Sequence, residues 1–137
     1  MSNTTRQKIL ADIEQVLQGV PEIKTVLMNK LTISDLDTYP IPLCFVFSGG
    51  EAKEWDVINY ETWKWAIFVE VWAVDTDMET YLGLIHNALA VDETRGGNAV
   101  RCERVGSIAP FLVDPDNSLA GMLLEFQIWY RHIEGIA

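Results

Sequence analysis

The sequence predicts an α+β fold, two helices packed on one face of a mostly antiparallel sheet of four to five strands, and three observations predict it. The first is Thr62 to Val74, TWKWAIFVEVWAV. There Trp63, Trp65, Ile67, Val69, Val71 and Ala73 alternate with Lys64, Ala66, Phe68, Glu70 and Trp72, the period of a half-buried strand. The second is Leu119 to His132, where Met122, Leu124, Phe126, Ile128 and Tyr130 form one face and Leu123, Glu125, Gln127, Trp129 and Arg131 the other. Both are long, so each can supply the backbone partners the other needs, and the first reads as the central strand. The third is a pair of segments with apolar residues at helical spacing, one near the N-terminus and one directly after the central strand.

Each element has a local reason. Thr4 followed by Gln7 reads as a capping box, and Ile9, Leu10, Ile13, Val16 and Leu17 make an apolar stripe, so a helix runs from about Thr5 to Gln18 and ends at Gly19 and Pro21. Lys24 to Ile33 reads as an edge strand and Ser34 to Pro42 as a loop. Leu43 to Phe47 is a short buried strand led in by Pro42. Ser48-Gly49-Gly50 reads as its break, and Glu51 to Glu61 as a long hairpin connection carrying Trp55 and Tyr60. Thr76 followed by Glu79 predicts a second capping box, with Asp75 and Asp77 near the positive end of the helix dipole. That helix runs to about Val91 with Met78, Tyr81, Leu82, Ile85, Ala88 and Leu89 as its core face. Gly96-Gly97 stops the chain before a strand at Ala99 to Val105. Gly106 to Ser118, with Pro110 and Pro115, reads as the connection to the last strand.

At 137 residues the chain reads as one domain over 1–137, long enough to bury a core without metal or disulfide staples. A formal charge of −10 argues against gripping a nucleic-acid backbone, because no surplus of Lys and Arg exists to release counterions. Cys44 and Cys102 lie far apart in apolar segments without metal-ligand spacing, which predicts reduced, buried thiols and a reducing cytoplasm. The N-terminus is polar, and no apolar run approaches the roughly eighteen residues of a membrane span, so no membrane partner is expected.

Chemistry-bearing constellations are absent from the sequence. His86 and His132 have no partner spacing, and no nucleophile elbow, phosphate loop or dinucleotide fingerprint occurs. Glu70 and Glu125 on adjacent strands imitate an acid/base pair, but a solvated sheet face explains them better. Asp114, Asp116 and Asn117 lack the glycine and closing glutamate of a calcium loop. No catalytic, cofactor-binding or metal residue is assigned, and the chain is expected not to be an enzyme. The second sheet face is more informative, because Phe68, Trp72 and Trp129 stand there among Lys64, Glu70, Glu125, Gln127 and Arg131. Either loops fold back over that face or another subunit covers it. The expected contact residues are Trp55, Tyr60, Phe68, Trp72 and Trp129.

The layout as a whole resembles the tail terminator and tail completion proteins of long-tailed bacteriophages. The resemblance lies in a leading helix RQKILADIEQVLQGV, a proline-led strand IPLCFVF, the long strand WKWAIFVEVWAV, a helix opening DTDMETYLGLIHNAL and a closing strand LAGMLLEFQIWYRH. It implies a structural virion protein, present in the host cytoplasm during assembly. Its partners would be copies of itself in a ring, commonly a hexamer, the tail tube protein beneath, and the head-side connector protein above. It implies no catalytic residues and no cofactor. Another neck or tube-associated protein would share the layout. The competing class is a small enzyme or ligand-binding module with a polar pocket between helices and sheet.

Overall fold

A computed structural model describes residues 4–28, 41–57, 60–114 and 119–133. Its elements are α1 (Thr5–Gln18), β1 (Thr25–Met28), β2 (Leu43–Val57), β3 (Tyr60–Val74), a 3-10 turn (Asp75–Asp77), α2 (Met78–Ala90), β4 (Arg101–Asp114) and β5 (Leu119–Ile133). The five strands form one sheet in the order β1-β2-β3-β5-β4, with β1 parallel to β2 and every other pair antiparallel. The predicted α+β class therefore holds, with β3 at the centre and β5 beside it along its full length.

The N-terminal capping box forms as predicted. Thr4 Oγ1 accepts from the Gln7 amide at 3.1 Å, and the Gln7 side chain accepts from the Thr4 amide at 2.8 Å, satisfying two of the amides that helix geometry leaves without partners. The second box does not form. Asp75–Asp77 takes a 3-10 turn instead, and the N-cap of α2 is Asp77, whose side chain makes no capping bond. The strand runs straight into the helix there, leaving no extended residue at Thr76 to aim a hydroxyl at the first turn.

The core is the face predicted. Ile9, Ile13 and Leu17 of α1 and Leu82, Ile85 and Leu89 of α2 pack on Trp65, Ile67, Val69 and Val71 of β3 and Leu124, Phe126 and Ile128 of β5. Val16 and Tyr81 sit at its margin, partly buried. Cys44 and Cys102 are free and buried, and burial pushes their thiols up to about 12 and about 11.

Two strand boundaries differ from expectation for one physical reason. Gly49 and Gly50 do not end β2. They stand opposite the single residue Ala66 as a bulge, and β2 continues to Val57, so most of the predicted connection is strand. Likewise β4 extends from Arg101 to Asp114, through most of the segment read as a connection. Extra residues at Val105, at Ala109-Pro110 and at Val113 shift its register, and Pro110, which has no amide to donate, is tolerated where the ladder is already interrupted. Of the expected edge strand Lys24 to Ile33, Thr25–Met28 is β1. The remainder of that segment, the loop at 34–40, and Asp116 and Asn117 lie outside the described residues.

Candidate functional site: the second sheet face and its margin

Both helices lie on one face of the sheet, and the strand registers define rows across the other. At one end Leu43, Trp72 and Gly121 align. Next come Phe45, Glu70 and Leu123, then Phe47, Phe68 and Glu125. Ala66, Gln127 and Glu103 follow, and then Ala52, Lys64, Trp129 and Arg101. Aromatic and charged residues thus stand side by side within these rows.

The aromatic part is built around Gly49. Phe47 and Phe68, directly opposed on β2 and β3, stack with ring centroids 5.3 Å apart, and Phe45 tilts against Phe47 at 5.5 Å. A Cβ on Gly49 would come within 2.5 Å of Phe68 Cε2 and 3.2 Å of Ala66 Cβ, so only glycine lets the Phe68 ring lie over the bulge. Gly50 has open space around it. One residue of the pair therefore answers to packing.

Among the expected contact residues, the structure separates buried from accessible. Trp72 is only 3% exposed and joins Leu43 and Phe45 in a small cluster on this face, with its indole N–H donating to Glu70 Oε2 at 2.8 Å. It is a packing residue within the chain, contrary to its expected place on an open surface. Phe68 and Trp129 remain partly exposed, and the Arg101 guanidinium lies 5.2 Å from the Trp129 ring while pairing with Glu103. Trp55 and Tyr60 fall on the paired backbone of β2 and β3, not in a loop, and their side chains lie outside the described residues. Glu70 and Glu125 are set diagonally, since Phe68 opposes Glu125 and Leu123 opposes Glu70. Gln127 donates to Glu125 Oε2 at 2.6 Å, so each carboxylate is engaged on its own strand.

Two polar clusters on the helix side were not legible in the sequence. Because the bulge shifts the alternation by one, Glu51 pairs with Trp65 and faces the helices. It accepts a 2.6 Å bond from Tyr130 Oη and meets Arg6 Nη1 at 3.4 Å, while the Arg6 guanidinium sits 4.5 Å from the Trp65 ring centroid. Burial, then the bond to Glu51, holds the Tyr130 phenol well above its ordinary range. The second cluster is Arg95, fully buried in the turn after α2. Its guanidinium donates to the carbonyls of Leu89 and Asp92, capping the C-terminal end of α2, and lies 3.1 Å from Asp12 of α1, out of line for a hydrogen bond. Asp92 shapes the turn. It accepts from Thr94 Oγ1 at 2.5 Å and from the amides of Thr94 and Gly96, each at 2.9 Å, and those bonds lower its carboxyl to about 2.

Two clefts bear on a ligand-binding reading, and the larger, about 300 Å³ and lined by Glu22, Lys24, Ile41, Pro42, Val74, Asp77 and Tyr81, reaches the size at which small-molecule sites begin. The other lies between α2 and the β4–β5 edge, a cavity of about 180 Å³ lined by His86, Leu89, Cys102, Glu103, Arg104 and Phe126. That is below the roughly 300 Å³ at which small-molecule sites begin. Its one thiol is held protonated by burial. Among the described residues no cluster of three or more His, Cys, Asp or Glu is placed to hold a metal ion, and no helix is long and apolar enough to cross a membrane.

No protein-family model matches the sequence, and no curated protein matches it. Among solved structures, the chain is similar to one in the virion of a native gene transfer agent particle. The two share 13% identity and a TM-score of 0.37 over 93% of this chain and 92% of that one. A likeness that distant carries no argument about function.

Proposed function

We infer that this chain is a structural virion protein that forms a ring, commonly a hexamer, on the end of a phage tail tube, stops tube polymerisation and offers a surface to the head-side connector. The observation that carries the reading is the second sheet face, where aromatic and charged rows cross three long strands with no helix among the described residues lying over them. Mixed aromatic and arginine surfaces of this kind suit protein contact. The order helix, three strands, helix, two strands is the layout on which the resemblance to tail terminator proteins rests. A charge of −10 on every copy opposes association at long range, so the ring closes on the tube end, where buried contact outweighs screened repulsion. Nothing in this role calls for catalysis, a cofactor or nucleic-acid sequence recognition.

The test is to mix purified protein with tail tubes and image them. Wild type should sit as one terminal ring and prevent further growth. Trp129→Ala and Trp55→Ala should weaken capping without lowering the melting temperature much, whereas Glu70→Gln and Glu125→Gln should leave it intact. Binding along the whole tube, or to neither tip, overturns the assignment.

A further inference from the structure

The sheet ends in two different strand edges, and they are complementary. On one side β1 pairs only with Leu43 to Val46, so the outer edge of β2 from Phe47 to Val57 has no neighbour among the described residues. On the other side the outer edge of β4 has no neighbour among the described residues either. Unpaired edges of that extent are templates for another strand. Resting on the ring reading above, we propose that the ring closes by β-strand addition, the first half of β4 in one copy pairing antiparallel with the Phe47 to Val57 edge of β2 in the next.

Direction, level, shape and charge each support this partner. With all copies oriented alike about the ring axis, alternation across β2-β3-β5-β4 makes β4 of one copy antiparallel to β2 of the next. The registers place Arg101 level with Ala52 and Arg104 level with Ser48, so the regular part of β4 lies opposite the uncovered part of β2. From Ser107 onward β4 lies level with the residues of β2 that β1 covers. Its bulges begin just before that point, at Val105, and bulges bend a strand away from a straight path. The bends let β4 pass outside the neighbour's β1. Arg104 has no acidic partner among the described residues and faces the helix side, the side on which the neighbour's Glu51 lies one same-face position further along. The sequence adds Glu54 and Asp56 to that same stretch of β2. Because the two edges differ, the contact is heterologous and propagates head to tail, as a closed ring requires.

The experiment joins Ala52→Cys and Val105→Cys, both exposed positions, in one chain and treats it with a short bismaleimide, as concentrated protein and after addition to tail tubes. Wild type is the blank, because burial holds both native thiols protonated. The double variant, melting as wild type does, should give a ladder of linked multimers, while Arg104→Glu in that background should lose it. A linked dimer from Val105→Cys alone would mean that β4 meets β4 across a two-fold axis, which overturns the proposal. Terminal rings on tubes without linkage in a maleimide-reactive double variant would overturn it too and leave the capping role standing. A ladder in concentrated protein without tube capping would support the edge pairing and remove the terminator assignment.

Discussion

The two faces of β3 differ by one residue of phase and in almost everything else. On the helix side Trp65, Ile67, Val69 and Val71 are fully buried beneath α1 and α2, and their neighbours on β5 are as apolar as they are. On the other side Lys64, Ala66, Phe68 and Glu70 are half-buried, and the rows they join on β2 and β5 mix aromatic with polar and charged residues. One face is closed by its own chain and can be read from hydrophobic alternation alone. The other is specified by cross-strand pairs, a stacked Phe47–Phe68 and an Arg101 on Trp129, which stabilise a surface without sealing it.

The comparison breaks most completely at the closed face. Fully burying each core side chain contributes about 1.5 to 3 kcal/mol, and a carboxylate there has no partner, so Ile67→Asp or Phe126→Asp should abolish the cooperative thermal transition seen by circular dichroism. A soluble, sharply melting Phe126→Asp protein would show the faces reversed. Arg95→Ala should come next. It leaves the Leu89 and Asp92 carbonyls and Asp12 without their cation and should cost roughly 3 kcal/mol in denaturant unfolding, with m unchanged.

At the open face the expected effects are smaller and more discriminating. Gly49→Ala must push the Phe68 ring aside at a cost of about 1 to 3 kcal/mol, whereas Gly50→Ala should stay within about 0.5 kcal/mol. Equal effects in chemical denaturation would mean that the pair is read for turn chemistry and not for ring packing. The smallest effect is a local one in the turn after α2. The Asp92 carboxyl falls from its ordinary 3.8 to about 2 in the fold, so its contribution is present above about pH 4 and is lost as pH falls through about 2. Amide exchange at Thr94 and Gly96 should quicken across that window, and Asp92→Asn should remove the pH dependence.

Sequence reasoning succeeded where one periodicity governs many residues, as in α1 with its capping box and the alternating faces of β3 and β5. It failed where one residue changes the phase. Gly49-Gly50 has the chemistry of a turn, and only the tertiary approach of the Phe68 ring makes it a bulge. That misreading also hid the Glu51–Tyr130–Arg6 cluster, because simple alternation from Phe47 puts Glu51 on the wrong face. Arg95 was hidden differently. A cation among Asp, Glu and glycine reads as solvated, and its burial depends on α1 passing beside the C-terminal end of α2. Trp72 belongs to the same class, since its alternation placed it on the second face correctly but could not say that Leu43 and Phe45 would gather around it.

The strand order also sets a timetable. β3 follows β2 in the chain and pairs with it from Tyr60 opposite Val57, but its other edge waits for β5, which leaves the ribosome after α2 and β4. β4 is made earlier than β5 yet attaches to the sheet only through it. Until β5 is added, the nascent chain therefore carries a bare apolar edge at the centre of its sheet and a detached strand beside it, a species with long-range contacts still unmade and aggregation-prone surface on view. Closure of the sheet therefore waits on β5, which alone joins β3 to β4 among the described strands.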